Sequence, residues 1–404
     1  MIIIRHLLFV AFLSQMNAVH AQQEHFIAPK VTLTYHPNIE TYFIAEKLAV
    51  QHIGNFIFSQ KDSMYAHQPL LAEASKHFIQ YVNMPCIIRI ADILKYIRDN
   101  YHDDAEIIQY LLFQKPFPQK GEQYPFADSS IFRTQQFPGT MPLIRELTDS
   151  LHSFYQFAHV DDFIKDHQVY YDGALNEVKK DLRPDIFAFM EKFYGEQFYR
   201  YAMYIMPLMP ITYGEDNYRA FGPTLHWPEG RAAVMVFSSS KMLPPGRPIN
   251  TYTSYGFDNP EVTHLLTVHE FGHSFINPHL NELKDIIARD TALFTPALQK
   301  ALEPAYIGDW FSCVIEHIVR LGEIRVAESM HDATEANRLR GVHVKQARFV
   351  LIPLLEEKIK VYEANRKKYP GFNSFLPELL KVFHELTPEK VDGLLKKTIP
   401  PPGN

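Results

Sequence analysis

Cysteine is almost missing from this chain: Cys86 and Cys313 are the two present in 404 residues. Two cysteines cannot form a disulfide framework. They either pair with one another or stay as buried free thiols, and their spacing does not choose between these. An excess of positive charge is missing too, since 40 Lys and Arg face 46 Asp and Glu, for a formal charge of −6. Nucleic acid as a partner is thereby excluded, because phosphate binding needs clustered cations. The run Arg366-Lys367-Lys368 is too short to change this and reads as a solvated face. Beyond the N-terminus no apolar segment approaches the ~20 residues that cross a bilayer, so no membrane span is expected. Internal repeats and low-complexity tracts are also lacking, which sets aside solenoids and disordered chains.

The N-terminus carries a different signal. Met1 to Ala21 has Arg5 near its start, the apolar run Leu7 to Leu13, and Val19-His20-Ala21 before the polar Gln22-Gln23-Glu24. Small residues two apart at such a junction are the pattern of a cleaved secretory signal. The other reading is an anchor, but the run is too short for about 30 Å of hydrocarbon. No Cys at the junction supports lipid attachment. The expectation is an exported protein, periplasmic or extracellular. With 46% hydrophobic and 13% aromatic residues, a well-filled core is expected in one large or two medium domains.

Val31 to Tyr35 alternates and reads as a strand closed by His36-Pro37-Asn38. From Glu40 to about Tyr194 the spacing is mainly helical, as in Ile39, Phe43, Ile44 and Leu48, or Ile87, Ile90, Ile93 and Ile97. Prolines 116, 118, 125 and 138 predict loops between about 115 and 140. The character changes near residue 199. Tyr199 to Leu208 favours a strand, Asn217 to Phe221 a short one, and Arg231 to Ser238 a better one, before a long helix from Pro260. The predicted class is α+β and mainly helical: residues 22–198 form a helical region, and 199–398 a second domain of small sheet followed by long helices.

The stretch that carries chemistry is His269-Glu270-Phe271-Gly272-His273, inside Asp258 to Pro278. Asp258 or Asn259 can cap this helix, Pro260 suits its first position, and Asn277-Pro278 is expected to stop it. His269 and His273 stand one turn apart on one face, so two imidazoles can bind a single tetrahedral Zn²⁺. Glu270 projects about 100° round the axis, beside the metal, placed to take a proton from water held there. Val262, Leu265, Leu266 and Ile276 fall within about 60° of the histidines, whereas Thr263, Thr267 and Ser274 cluster beyond Glu270. The histidines are therefore expected on the apolar, inward face. The bland alternative is a pair of hydrogen-bonded core histidines. Gly272 admits either a close helix or ordinary packing.

A catalytic zinc needs a third protein ligand. His279 completes a metzincin-like spacing, but Ile276 replaces the glycine that turns such chains back to the metal, and no Met-turn follows. Glu316 lies in the helix-forming Trp310 to Glu323, whose Asp309, Cys313, Glu316, His317, Arg320 and Glu323 share one arc. That arc is either a solvent face or a polar stripe turned to a zinc cleft. Glu323 is a weaker ligand candidate, and Cys313 weaker still. Tyr306, His317 and Arg320 are candidate oxyanion donors.

The small sheet, the HExxH helix and a later glutamate on a second helix resemble the gluzincin branch of zincin metallopeptidases. His269 to Pro278 with Glu316-His317-Ile318-Val319-Arg320 looks most like an uncharacterised bacterial family of secreted HExxH proteins. Asn38-Ile39-Glu40-Thr41-Tyr42 extends the resemblance over most of the mature chain. It implies zinc held by His269, His273 and Glu316, Glu270 as general base, and a peptide or protein substrate. By analogy with zincins, the strand Arg231 to Ser238 would pair with an extended peptide. The other readings are a non-catalytic binding protein on the same scaffold and a zinc amidase for a non-peptide amide.

Overall fold

The β-branched and aromatic runs on either side of the helical half meet in one mixed sheet. The computed structural model describes residues 25–54, 67–101, 104–126, 139–211 and 218–398. Met1 to Ala21, the expected signal, and Asn217 lie outside these. The strands are β1 (His25–Ala28), β2 (Val31–Thr34), β3 (Arg200–Ile205), β4 (Ala220–Phe221), β5 (Thr224–Trp227) and β6 (Gly230–Phe237). Strands β2, β3 and β6 run parallel, β1 pairs antiparallel with β2, and β4 and β5 lie end to end, antiparallel, along the far edge of β6. Strands β1 and β5 were not expected. Each is four residues long, and β5 is joined to β6 by the two-residue turn Pro228-Glu229.

The helices are α1 (Pro37–Ile53), α2 (Pro69–Phe78), α3 (Pro85–Tyr101), α4 (Ala105–Phe113), α5 (Thr140–Phe157), α6 (Val160–Asp166), α7 (Gln168–Asp181) and α8 (Ile186–Tyr194). After the sheet come α9 (Pro260–Glu282), α10 (Lys284–Ile287), α11 (Pro296–Leu302), α12 (Trp310–Ser329), α13 (Ala333–Arg340), α14 (Ile352–Ala364), α15 (Phe372–His384) and α16 (Pro388–Thr398). The chain is mainly helical around a small mixed sheet, as expected. Among the described residues no helix is long and apolar enough to cross a membrane.

Alternation along the strands divides the core into two layers. Tyr201, Met203 and Ile205 of β3, with Ala233, Met235 and Phe237 of β6, face a core completed by α8, α9, α12 and the C-terminal helices. Ala202, Tyr204, Ala232, Val234 and Val236 face the other way, onto α1 to α6. The change of character at 198 marks the approach to β3, while the layers divide earlier. Tyr170 and Tyr171 of α7 pack with the N-terminal helices, and Ala174 onward with the C-terminal ones. Both β2 and α8 therefore precede residue 198 yet complete the layer that carries the HExxH helix.

Helix α1 is buried along Asn38 to Val50, Glu40 included. Glu40 is 0% exposed and accepts a hydrogen bond from Tyr171 Oη (2.6 Å), while its Oε1 has no partner. Burial pushes its carboxyl up to about 8. The folded state then keeps a proton that the unfolded chain releases above its ordinary carboxyl range, so this group costs stability as pH rises from about 4.5 to about 8. Glu40→Gln should remove that slope. Urea midpoints of the two proteins from pH 5 to 8 should diverge towards the alkaline end, with the variant more stable by on the order of 1 kcal/mol. Parallel curves would show Glu40 to be ionised throughout.

Helix α9 starts as expected, with Asn259 Oδ1 accepting the Val262 N–H at 3.3 Å. It does not stop at Asn277-Pro278: it runs to Glu282 with Pro278 inside. A proline there removes the hydrogen bond to the Ser274 carbonyl. Arg231 Nη2 of β6 donates to that carbonyl at 3.0 Å, replacing the missing N–H from outside the helix. Glu196 pairs with the same guanidinium, which also lies over the Phe198 ring.

Candidate metal centre

Helix α9 leaves one i, i+4 ridge partly open: Leu265, His269, His273 and Asn277 are half-buried. Thr263, Thr267 and Ser274, expected on a polar side, are all buried. Each hydroxyl needs only one local acceptor to enter a core. Thr267 Oγ1 donates to the Thr263 carbonyl at 2.7 Å, and Ser274 Oγ to the Pro223 carbonyl of the β4–β5 connection at 3.4 Å. The histidines therefore do not sit in the apolar interior. They line its margin.

Helix α12 crosses this ridge. Its first turn is capped by Asp309, whose Oδ1 accepts the Ser312 N–H at 2.9 Å. Its polar arc is not a solvent face, because Cys313, His317 and Glu323 are buried and Glu316 is half-buried. Glycine makes the crossing close. A Cβ at Gly322 would stand 2.1 Å from Tyr194 Oη, and one at Gly272 3.5 Å from the same oxygen and 3.4 Å from Val319 Cγ1.

The crossing brings His269, His273 and Glu316 together. Their Nε2 atoms are 3.3 Å apart, and Glu316 places Oε1 3.4 Å from His273 Nε2 and Oε2 3.8 Å from His269 Nε2. Donors about 2.0–2.1 Å from a tetrahedral zinc are separated by about 3.4 Å, so the three donors fit one small cation. Another grouping among the described residues, His159 with Asp161 and Asp162, is exposed.

The other ring nitrogens are tied back. His269 Nδ1 donates to Glu323 Oε1 at 2.8 Å, and His273 Nδ1 to Asn277 Oδ1 at 3.3 Å. Both Nε2 atoms are thus left facing Glu316, as in metal sites whose ligands are oriented by outer partners. Glu323 is therefore placed as the partner of a ligand, not as a ligand. Asn277 was read only as a helix stop; its signal was the i+4 step from His273.

Charge at the site follows the same plan. Burial alone would lower the His269 pKa, but the Glu323 hydrogen bond and the Glu316 and Glu323 charges raise it to about 9. Burial would raise Glu316, and the neighbouring His269, His273 and Arg320 pull it below the ordinary carboxyl range instead. Glu323 is held low as well: burial opposes, and His343 and His269 prevail. The carboxylates thus favour a positive charge at His269, which a divalent cation supplies without a proton.

His279 is elsewhere. Because α9 continues through Pro278, His279 lies about 15 Å along the axis from His269 and about 80° round it. There its Nε2 donates to Glu196 Oε2 at 2.9 Å. Cys86 and Cys313 are both free thiols. His317 is fully buried, donates from Nδ1 to the Cys313 carbonyl at 2.7 Å, and is lowered by burial to about 4. Tyr306 is 88% exposed on the segment before α12, and Arg320 is engaged by Glu316 at 3.3 Å. Arg320 Nε and His317 Nε2 are nonetheless buried with no hydrogen-bond partner, so of the three only Tyr306 is turned out to solvent.

Glu270 is 7% exposed, and burial raises its carboxyl pKa. Its backbone is pressed by the edge strand: a Cβ at Gly222 would stand 2.2 Å from the Glu270 carbonyl oxygen. That contact puts the β4–β5 edge alongside the HExxH turn. It also corrects the expectation for Arg231 to Ser238, since β6 is paired on both sides and offers no open edge.

Neither a curated protein nor a solved structure matches this chain significantly. A family described as a domain of unknown function (DUF4932) matches residues 141–382, more than half the chain. The match takes in both site helices and leaves Asn38 to Tyr42 outside. The chain belongs to this family.

Proposed function

We propose that this protein is an exported, zinc-dependent hydrolase that cleaves peptide bonds. His269, His273 and Glu316 hold the cation, and Glu270 is the general base. The observation that supports this best is the convergence of three donors at tetrahedral-zinc spacing, with both histidine Nδ1 atoms tied back. A zinc ion there would polarise a carbonyl and acidify a coordinated water. Glu270 takes a proton from water and passes it to the leaving amine, a role suited to a carboxylate whose proton affinity is raised by burial. Arg320 holds Glu316 in place at 3.3 Å. An extended peptide would add to the sheet along Ala220–Trp227, the edge beside Glu270. The arrangement of sheet, HExxH helix and glutamate-bearing helix is the gluzincin-like feature of this reading.

A peptide-library digest with and without chelator tests it. Cleavage that chelation removes and zinc restores is the expected result. Stoichiometric zinc without cleavage would favour the binding protein, or a hydrolase of a non-peptide amide. Cleavage unaffected by chelation would overturn the assignment.

A further inference from the structure

We propose that His343 is a positioning residue for the metal pair: from a π-helical turn it closes a ring of five side chains and holds Glu323 against His269 Nδ1. The inference rests on the metal-binding reading above. The turn is Gly341–Gln346, directly after α13. Such wide turns are rare and concentrate at functional sites. His343 is 1% exposed within it.

The ring runs from His269 to Glu316, Arg320, His343, Glu323 and back. Its links are His269 Nε2 to Glu316 Oε2 at 3.8 Å and Glu316 Oε2 to Arg320 Nη2 at 3.3 Å. Arg320 Nη1 then lies 3.5 Å from His343 Nδ1, and His343 Nε2 2.8 Å from Glu323 Oε2. Glu323 Oε1 to His269 Nδ1, at 2.8 Å, closes it.

One member sets which His343 nitrogen meets Glu323. Guanidinium has donors and no acceptor, and it stays charged. Facing Arg320, His343 Nδ1 must therefore present its lone pair, which leaves its proton on Nε2. That proton goes to Glu323 Oε2. The other Glu323 oxygen accepts from His269 Nδ1–H, so the His343 contact fixes the carboxylate that in turn fixes the His269 ring, with Nε2 towards His273 and Glu316.

The turn also supplies the platform that orients Arg320. The guanidinium lies 4.3 Å from the centre of the Phe349 ring, and Phe349 N–H donates to the His343 carbonyl at 2.9 Å. Arg348 between them has a left-handed backbone (φ 65°), which reverses the chain at that point. A buried carboxylate such as Glu323, at 2% exposure, is tolerable only when paired, and His343 and His269 each take one of its oxygens at 2.8 Å.

The test measures zinc and cobalt affinity by competition with a chromophoric chelator, together with the visible spectrum of the cobalt forms. It compares wild type with His343→Leu, His343→Asn and His343→Gln, each checked for folding by circular dichroism. Glutamine can carry a donor to the place of His343 Nε2, whereas the asparagine amide is one methylene too short and leucine has no donor. The leucine and asparagine variants should bind roughly 10–100-fold more weakly, with altered cobalt spectra. The glutamine variant should recover most of the loss. If leucine prevents folding, the asparagine–glutamine pair makes the same comparison. Wild-type affinity and spectrum in the asparagine variant would overturn the proposal, as would glutamine failing as badly as asparagine. A wild-type protein that binds neither metal would instead sink the metal reading itself.

Discussion

Glu270→Gln should keep one equivalent of zinc and lose hydrolysis by roughly 10²–10⁴-fold. Glutamine matches glutamate in volume, so a site that is 7% exposed need not repack. The Glu270 backbone stays held by Gly222, so the two flanking imidazoles keep their aim. What disappears is the ability to carry a proton between water and the leaving amine. That loss belongs to the transition state, so it should fall on kcat with little change in KM. Progress curves on a cleaved library peptide, with metal content by plasma emission on the same sample, check both halves. Activity above about a tenth of wild type would take the base role away from Glu270.

Glu316→Ala should lose the metal. Two imidazoles alone leave a zinc site short of a protein ligand. The change also leaves Arg320, which pairs with Glu316 at 3.3 Å, facing the histidines uncompensated. Both effects act in one direction, and affinity should fall by roughly 10²-fold or more, beyond the 10–100-fold usual for outer-shell changes. Dialysis against a buffered zinc series, with bound metal read by plasma emission, measures it. Full occupancy would move the third ligand to Glu323, which would then have to give up His269 or His343. His279 does not compete, because Glu196 holds it at 2.9 Å, about 15 Å further along the helix.

The HExxH spacing, the Asn259 cap and the strand at 31–34 were legible because each depends on neighbours within a few residues. The run through Pro278 was not, because the group that tolerates it, the Arg231 guanidinium, lies 43 residues from its acceptor Ser274. The position of His279 was hidden with it, since the spacing points to the metal only if the helix breaks. The polar arc of α12 had two readings for a similar reason. A helical wheel says which side chains share a face, not whether that face meets water or a second helix.

By itself, the sequence determined the ingredients: two histidines one turn apart, a carboxylate beside them, and a second helix with a polar stripe. These follow from a 3.6-residue period and are settled before the chain folds. Tertiary structure decided which oxygen joins the histidines and which groups hold their far nitrogens. Glu316 and Glu323 are both carboxylates on one arc, and only the α9–α12 crossing, closed by Gly272 and Gly322 around Tyr194, separates their roles. His343 had no local signature at all. Its place depends on a turn that packs against α12 from 20 residues further along, and pairing across such a distance is set by the packed core, not by sequence spacing.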